Sequence, residues 1–314
     1  MVESYQPKTM NMRRRRQAGD DLSAHVSIAQ PKQAALQEEP YDRRRLSYAN
    51  TFTNPFHANA IRVMEWMTAK MHLLRRIRQF EAMGVPFGQG FWSQALGAMG
   101  IELQTPAEQI KNIPTEGPLV IVANHPHGLV DGMVLAELIG RQRTDYKILT
   151  RSLLTGVAEI DDFMIPVPFQ HEPNALQLNL EMRKKAMDHL SEGGCVVLFP
   201  AGEVAAAKDW FGPAIEKDWH AFTAKMILRS KANVVPIYFQ GQNSRWYHIA
   251  NKISAVLRQG LLLYEVRHAL NKPQAPVVGA PITREVIEEW AGNQRGFINW
   301  LREQTLALKP SKKS

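Results

Sequence analysis

The sequence predicts an α/β protein with a mixed, largely parallel sheet flanked by helices, and three observations carry that prediction. Short apolar runs rich in Val, Ile and Leu, at residues 118–123, 195–199 and 234–240, are too short for core helices and suit strands buried on both faces. Segments with apolar residues three and four positions apart lie between and around them. Strand-like and helix-like stretches alternate along the chain instead of grouping into blocks. Ahead of them stands an amphipathic helical region expected to face a membrane. The organisation read from this is a disordered basic tail over residues 1–50, a membrane-association or capping region over 51–100, and a catalytic domain over 101–314.

The tail contains arginine runs at residues 13–16 and 43–45 and no sustained apolar period. Over residues 57–80, Ala60, Val63, Met64, Met67, Met71, Leu74 and Ile77 recur at helical steps, with Arg62, Glu65, His72, Arg76 and Gln79 on the other side. Aromatic residues follow at Phe87, Phe91 and Trp92, and a short helix is predicted up to Met99. The run at 118–123 reads as a strand, and 133–139, closed by Gly140, as a helix. Residues 146–154 read as a second strand and turn. Two prolines confine the extended piece at 163–169 to an edge or a loop. A helix is predicted over 174–191 with Leu176, Leu180, Met187 and Leu190 inward, then a strand at 195–199 and a sharp turn at 200–203. Further elements are a helix at 219–230, strands at 234–240 and 261–266, an extended piece at 276–282, and a terminal helix pair over 284–308.

Composition narrows the function. The formal charge of +8 points to an anionic partner, such as a lipid surface or an acidic protein. No nucleic-acid motif is present and the basic residues are spread along the chain, so nucleic acid is not the expected partner. The one cysteine, Cys195, lies in an apolar run and reads as a buried thiol. The longest uncharged stretch, residues 83–101, is rich in glycine and too polar for a convincing membrane span.

The loop Asn124-His125-Pro126-His127-Gly128-Leu129-Val130-Asp131-Gly132 joins a predicted strand to a predicted helix. A histidine near neutral pH can take a proton, and a carboxylate on its other ring nitrogen fixes the tautomer and stabilises the imidazolium. His125 and Asp131 form such a pair if Pro126 and Gly128 turn the chain back on itself; alternatively, Asp131 caps the helix. His-X-His followed by Asp is also a pattern that metal sites use, although no other histidine completes a ligand set. No G-x-S-x-G occurs, which argues against a serine hydrolase.

Four blocks in order then resemble the glycerolipid (lysophospholipid) acyltransferase superfamily, across residues 91–282: Asn124-His125 with Asp131-Gly132, the stretch 163–168, Phe199-Pro200-Ala201-Gly202-Glu203, and Val235-Pro236-Ile237-Tyr238, followed by Gly279-Ala280-Pro281-Ile282. The N-H-P-x-G-x-x-D-G form and the run at 241–244 are similar to the bacterial hemolysin-like, ornithine-lipid acyltransferase branch. The resemblance implies a membrane-associated O-acyltransferase with His125 as base oriented by Asp131. The hydroxyl of a lysolipid would attack the thioester of acyl carrier protein or acyl-CoA directly, with no metal or organic cofactor. It also implies acceptor contacts at Asn124, His127, Gly128, Gly132, Pro200, Gly202 and Glu203, and a peripheral location on the cytoplasmic side of a bacterial inner membrane. Oligomeric state has no signature in the chain.

Three departures bear on this. His125 to Asp131 is one residue longer than the usual H-x4-D and His127 to Asp131 one shorter, so His125 is the first choice of base and His127 the second. Ala201 replaces a usual glutamate. The stretch 163–168 lacks the usual phosphate-binding arginine, which favours a lyso-ornithine lipid over lysophosphatidate, with Arg151, Lys208 or Arg245 as substitute cations. Two other readings stay open: a metal-dependent hydrolase using His125, His127 and Asp131, and a basic membrane-binding module without catalysis.

Overall fold

The computed structural model describes residues 47–51, 54–150, 157–168 and 174–311; the arginine runs of the tail and Arg151 lie outside the described residues. Asn54 caps helix α1 (Pro55–Glu65), its side chain accepting from the Phe56 amide at 2.9 Å, with Pro55 preset for the first turn. A π-helical segment, Trp66–Lys70, leads into α2 (Met71–Ala82). Next come α3 (Gly90–Ala98), α4 (Ala107–Ile110), β1 (Leu119–Ala123), α5 (Leu129–Gly140), β2 (Tyr146–Thr150), β3 (Met164–Pro166), α6 (Ala175–Ser191) and β4 (Cys195–Leu198). A small hairpin of β5 (Ala206–Ala207) and β6 (Ala214–Ile215) precedes α7 (Ala221–Arg229) and β7 (Asn233–Tyr238). Helices α8 (Arg245–Ile253), α9 (Ala255–Gly260) and α10 (Leu262–Ala269), strand β8 (Val277–Val278), and helices α11 (Arg284–Glu288) and α12 (Gln294–Ala307) complete the chain.

The main sheet has the order β3-β2-β4-β1-β7-β8, parallel except that β8 runs antiparallel to β7. This is the predicted mixed, largely parallel architecture. β1 lies at the centre and is buried at all its positions, which is why it reads as an unbroken apolar run. Its side chains alternate between two cores. Leu119, Ile121 and Ala123 face Trp92, Leu135 and Leu263 from α3, α5 and α10. Val120 and Val122 face Met182, Ile227 and Leu301 from α6, α7 and α12. Truncating Ile121 to alanine would cost about 3 kcal/mol, because neither layer can close the space. β3, which ends at Pro166 with Pro168 just beyond it, takes the edge as expected.

Three expectations are corrected. Residues 261–266, read as a strand, lie largely in helix α10; an apolar run of six carries too little periodicity to separate the two forms. Leu176 and Leu180 point outward, 78% and 58% exposed, while α6 buries Met182, Ala186 and Leu190. In the N-terminal helices Glu65, read on the polar side, is buried together with Ala58, Ile61, Ala69 and Leu73; of the apolar stripe Val63, Met67 and Met71 are exposed, whereas Leu74 and Ile77 pack on the core. Glu65 is buried because it accepts from Ser47 Oγ at 2.6 Å and from the Tyr48 amide at 2.8 Å. Among the described residues no helix is long and apolar enough to cross a membrane.

Candidate active site

Parallel strands deliver their C-terminal ends to one edge of the sheet, where α/β proteins hold ligands in the crevice. β1 ends at Ala123, β4 at Leu198 and β7 at Tyr238, so the loops at 124–128 and 199–203 meet there. The Asn124 amide bridges two of these ends: its Nδ2 donates to the Phe239 carbonyl at 2.9 Å and its Oδ1 accepts from the Phe239 amide at 2.6 Å. Asn124 thus fixes the loop and turns away from the cavity.

Asp131 occupies the third position of α5 and is fully buried. Its Oδ2 accepts from the amides of His127 at 2.8 Å and Gly128 at 3.1 Å and from Nδ1 of His125 at 3.0 Å; its Oδ1 accepts from Nδ1 of His127 at 3.0 Å. Asp131 therefore caps the helix and orients histidines at the same time. Gly128, at φ 83°, permits the turn that makes this possible. Burial pushes the Asp131 carboxyl up, but the charge of His127 and the hydrogen bonds from both histidines outweigh it and hold the group down at about 2. Burial lowers the His127 pKa, and the Asp131 charge more than reverses that, so His127 titrates above its ordinary range.

With Nδ1–H turned to the carboxylate, each histidine keeps a lone pair on Nε2. The two rings differ in what they face. His125 stacks on Phe199, centroids 3.9 Å apart and 20° from parallel, and lines a cavity of about 670 Å3. His127 does not line it; a Cβ built on Gly241 would come within 2.7 Å of its Nε2. The imidazoles converge on the carboxylate through Nδ1, which is the geometry of a hydrogen-bonded relay and not of three donors around a common ion. Among the described residues no group of three or more His, Cys, Asp and Glu side chains is arranged to hold a metal.

Gly128, Gly132, Pro200, Gly202 and Glu203 all line the cavity. Arg245 does not; it donates to the Gly212 carbonyl at 3.1 Å. The cations that do line it are Arg183, over the ring of Phe222 at 5.0 Å, and Arg258, which reaches Glu203 at 3.4 Å and Asn251 at 3.1 Å. Neither lies in a motif block, though a lone arginine in the apolar run at 255–264 was a visible signal. Glu216 was also missed: it is buried and accepts from the His125 amide at 3.2 Å and the Trp219 indole at 3.1 Å. Burial raises its pKa, and those two hydrogen bonds oppose the rise only in part.

Part of the cavity wall is apolar, with Leu129, Ile148, Met164 and Leu198 among its residues. Leu129 also lines a second, partly open pocket of about 170 Å3 between α2, α3, α5 and α10, where Leu73, Ile77, Ala98, Met133 and Leu263 form part of the walls.

Fold and site together define an α/β protein that sets two part-buried histidines on a buried carboxylate, one of them beside a cavity with both apolar and charged walls. The chain belongs to the acyltransferase family: the model of the family described as Acyltransferase matches residues 89–270. It is similar to lyso-glycine lipid O-acyltransferases of Bacteroides thetaiotaomicron, 26% identical over 165 residues (50% of this chain, 56% of the relative), and of Phocaeicola vulgatus, 24% identical over 149 residues (47% and 51%). The chain thus spans about half the length of these curated relatives. A crystal structure of PlsC, the 1-acyl-sn-glycerophosphate (LPA) acyltransferase from Thermotoga maritima, is similar with a TM-score of 0.43 and 12% identity, covering 82% of this chain and 90% of that one.

Proposed function

We propose that this protein is a membrane-associated O-acyltransferase that moves a fatty acyl group from a thioester donor, acyl carrier protein or acyl-CoA, to the hydroxyl of a lysolipid. The observation that carries the reading is the placement of His125: Nδ1 lies 3.0 Å from buried Asp131 and its ring lines the large cavity. His125 Nε2 takes the hydroxyl proton as the oxygen attacks the thioester carbon. The C–O bond forms, the C–S bond breaks, and the imidazolium returns the proton to the leaving thiolate. Asp131 stabilises the imidazolium and holds the tautomer. The reaction calls on no metal and no organic cofactor.

The acceptor is an anionic, amino-acid-based lysolipid. Arg183 and Arg258 on the cavity wall suit a carboxylate head group, and the relatives named lyso-glycine lipid O-acyltransferase support that class. The acyl chain runs past Leu129 into the apolar pocket. Phe56, Trp66, Met67 and Met71, each more than half exposed on the outer side of α1, the π-helical segment and α2, rest on the lipid surface. The protein acts as a peripheral enzyme on the cytoplasmic side of a bacterial inner membrane. Acyl transfer from labelled acyl carrier protein and acyl-CoA into a panel of lysolipids tests the reading, for wild type and His125→Ala, with and without chelator. Transfer that ignores chelator and disappears in His125→Ala is expected; full transfer by His125→Ala would overturn the mechanism.

A further inference from the structure

We infer that the turn between β5 and β6, led by Trp210 and Phe211, is a second lipid-contact element, separate from the N-terminal stripe, that seats the mouth of the His125 cavity on a bilayer. Trp210 is 51% and Phe211 81% exposed, on a turn where nothing in the fold calls for two adjacent large aromatics. Beside them α8 shows Trp246, 66% exposed, and Ile253, 61% exposed, seven residues apart and so on one face of the helix.

Turn and helix are fastened together. Arg245 donates to the Gly212 carbonyl at 3.1 Å, the Ala207 amide donates to His248 Nδ1 at 3.3 Å, and the Ala214 amide donates to Gln242 Oε1 at 2.8 Å. The aromatics therefore sit on one firm surface.

Charge selects the occupant. The exposed charged residues of the hairpin and α8 are Lys208, Arg245 and Lys252, against Asp209 alone. Indoles beside cations suit the head-group layer of an anionic bilayer, where the ring is half immersed and the basic groups meet phosphate. The place in the fold agrees. Tyr247 of α8, Arg258 of α9 and Val204 just ahead of β5 line the cavity, so a bilayer touching this patch touches the cavity rim. The hairpin also grips the reactive loop, since the Ala205 amide donates to the His125 carbonyl at 2.8 Å and the His125 amide donates to Glu216 at 3.2 Å. A lipid-seated hairpin thus orients the His125 mouth toward the surface from which a lysolipid enters.

The inference rests on the lysolipid reading only for the identity of what enters. Its test is co-sedimentation of the full chain with phosphatidylglycerol–phosphatidylethanolamine vesicles, comparing wild type with Trp210→Ser/Phe211→Ser and with the conservative Trp210→Phe/Phe211→Leu. In parallel, acyl transfer is measured to a short-chain lysolipid dispersed below its micellar concentration. The serine pair is expected to weaken vesicle binding roughly tenfold or more, the conservative pair to restore it, and both to keep turnover on the dispersed acceptor. Unchanged vesicle binding by the serine pair would overturn the inference. A wild-type dimer in sedimentation equilibrium that the serine pair dissolves would overturn it too, by assigning the patch to a second copy. Wild type that binds vesicles but transfers to no acceptor would sink the activity reading and leave the lipid contact standing.

Discussion

Oδ2 of Asp131 lies 3.0 Å from Nδ1 of His125. The other carboxylate oxygen lies equally close to His127, at 3.0 Å, so one buried anion serves two histidines that face different surroundings. Because His125 lines the cavity and His127 packs near Gly241, the two alanine variants should separate. His125→Ala is expected to lower kcat by about a thousandfold, the loss of a general base. His127→Ala leaves Asp131 with His125 and the backbone amides of residues 127 and 128, and should lower kcat only about tenfold. Steady-state rates of both variants on one acceptor decide this, and equal losses would make His127 a partner in the chemistry.

Asp131 also sets an acid limit on stability. Its folded pKa of about 2 lies below the ordinary 3.8, so its contribution is present above pH 4 and is lost as pH falls from about 4 to 2. The size is roughly 2 kcal/mol. His127 moves the other way, above 6.5, so its contribution is complete below that pH and fades as pH rises through the raised value. The relay therefore stabilises most from about pH 4 to the range where His127 loses its proton. Denaturant unfolding of wild type and Asp131→Asn should show the largest gap there and a shrinking gap at pH 3.

Strands were legible wherever burial on both faces demanded apolar residues throughout, as in β1, β4 and β7. The same rule failed at residues 261–266, because a short helix buried on most sides is equally apolar. Helix phase was harder. The leucines of α6 were read as core residues, yet Leu176 and Leu180 face outward. Apolar periodicity marks an apolar face and does not say whether protein or lipid covers it. In the site, the His–Asp pair was readable because all its partners lie within seven residues. Glu216, Arg183 and Arg258 join it only through the fold, and strand order is not written in any local pattern.

The outward stripe gives a prediction of its own. Trp66→Ser/Met67→Ser removes side chains that are 64% and 73% exposed and make little of the core, so thermal stability should change by less than about 1 kcal/mol. Vesicle binding should fall severalfold. A variant that binds as wild type while losing stability would show that the stripe serves packing.

Chain-length selectivity should respond to Ala98, a half-buried residue on α3 whose methyl group lines the 170 Å3 pocket. Ala98→Phe fills part of that space, and competition between acyl donors of graded length is expected to shift toward shorter chains with little change in the rate for the shortest. An unchanged preference would place the acyl chain elsewhere in the larger cavity.

Gly202 is the last residue whose environment makes a sharp demand. It has φ +69°, a conformation that costs an L side chain about 1 kcal/mol, and a Cβ built there would lie 3.1 Å from Nε2 of His220. The crowded atom is the end of an exposed side chain, so the ring can give way and the conformational cost dominates. Gly202→Ala should therefore lose roughly 1 kcal/mol of stability, with the protein still folded. The turn also lines the cavity next to Glu203, which Lys217 holds at 2.6 Å and Arg258 at 3.4 Å. Displacing the turn disturbs the carboxylate that positions Arg258, the cation assigned to the acceptor head group. KM for the acceptor should rise several-fold with a smaller fall in kcat, because Phe199 at the start of the turn stacks on His125 while the His125–Asp131 contact itself lies on the other loop. A fall in kcat at unchanged KM would mean that the turn acts on the chemical step and that the head group binds elsewhere on the cavity wall.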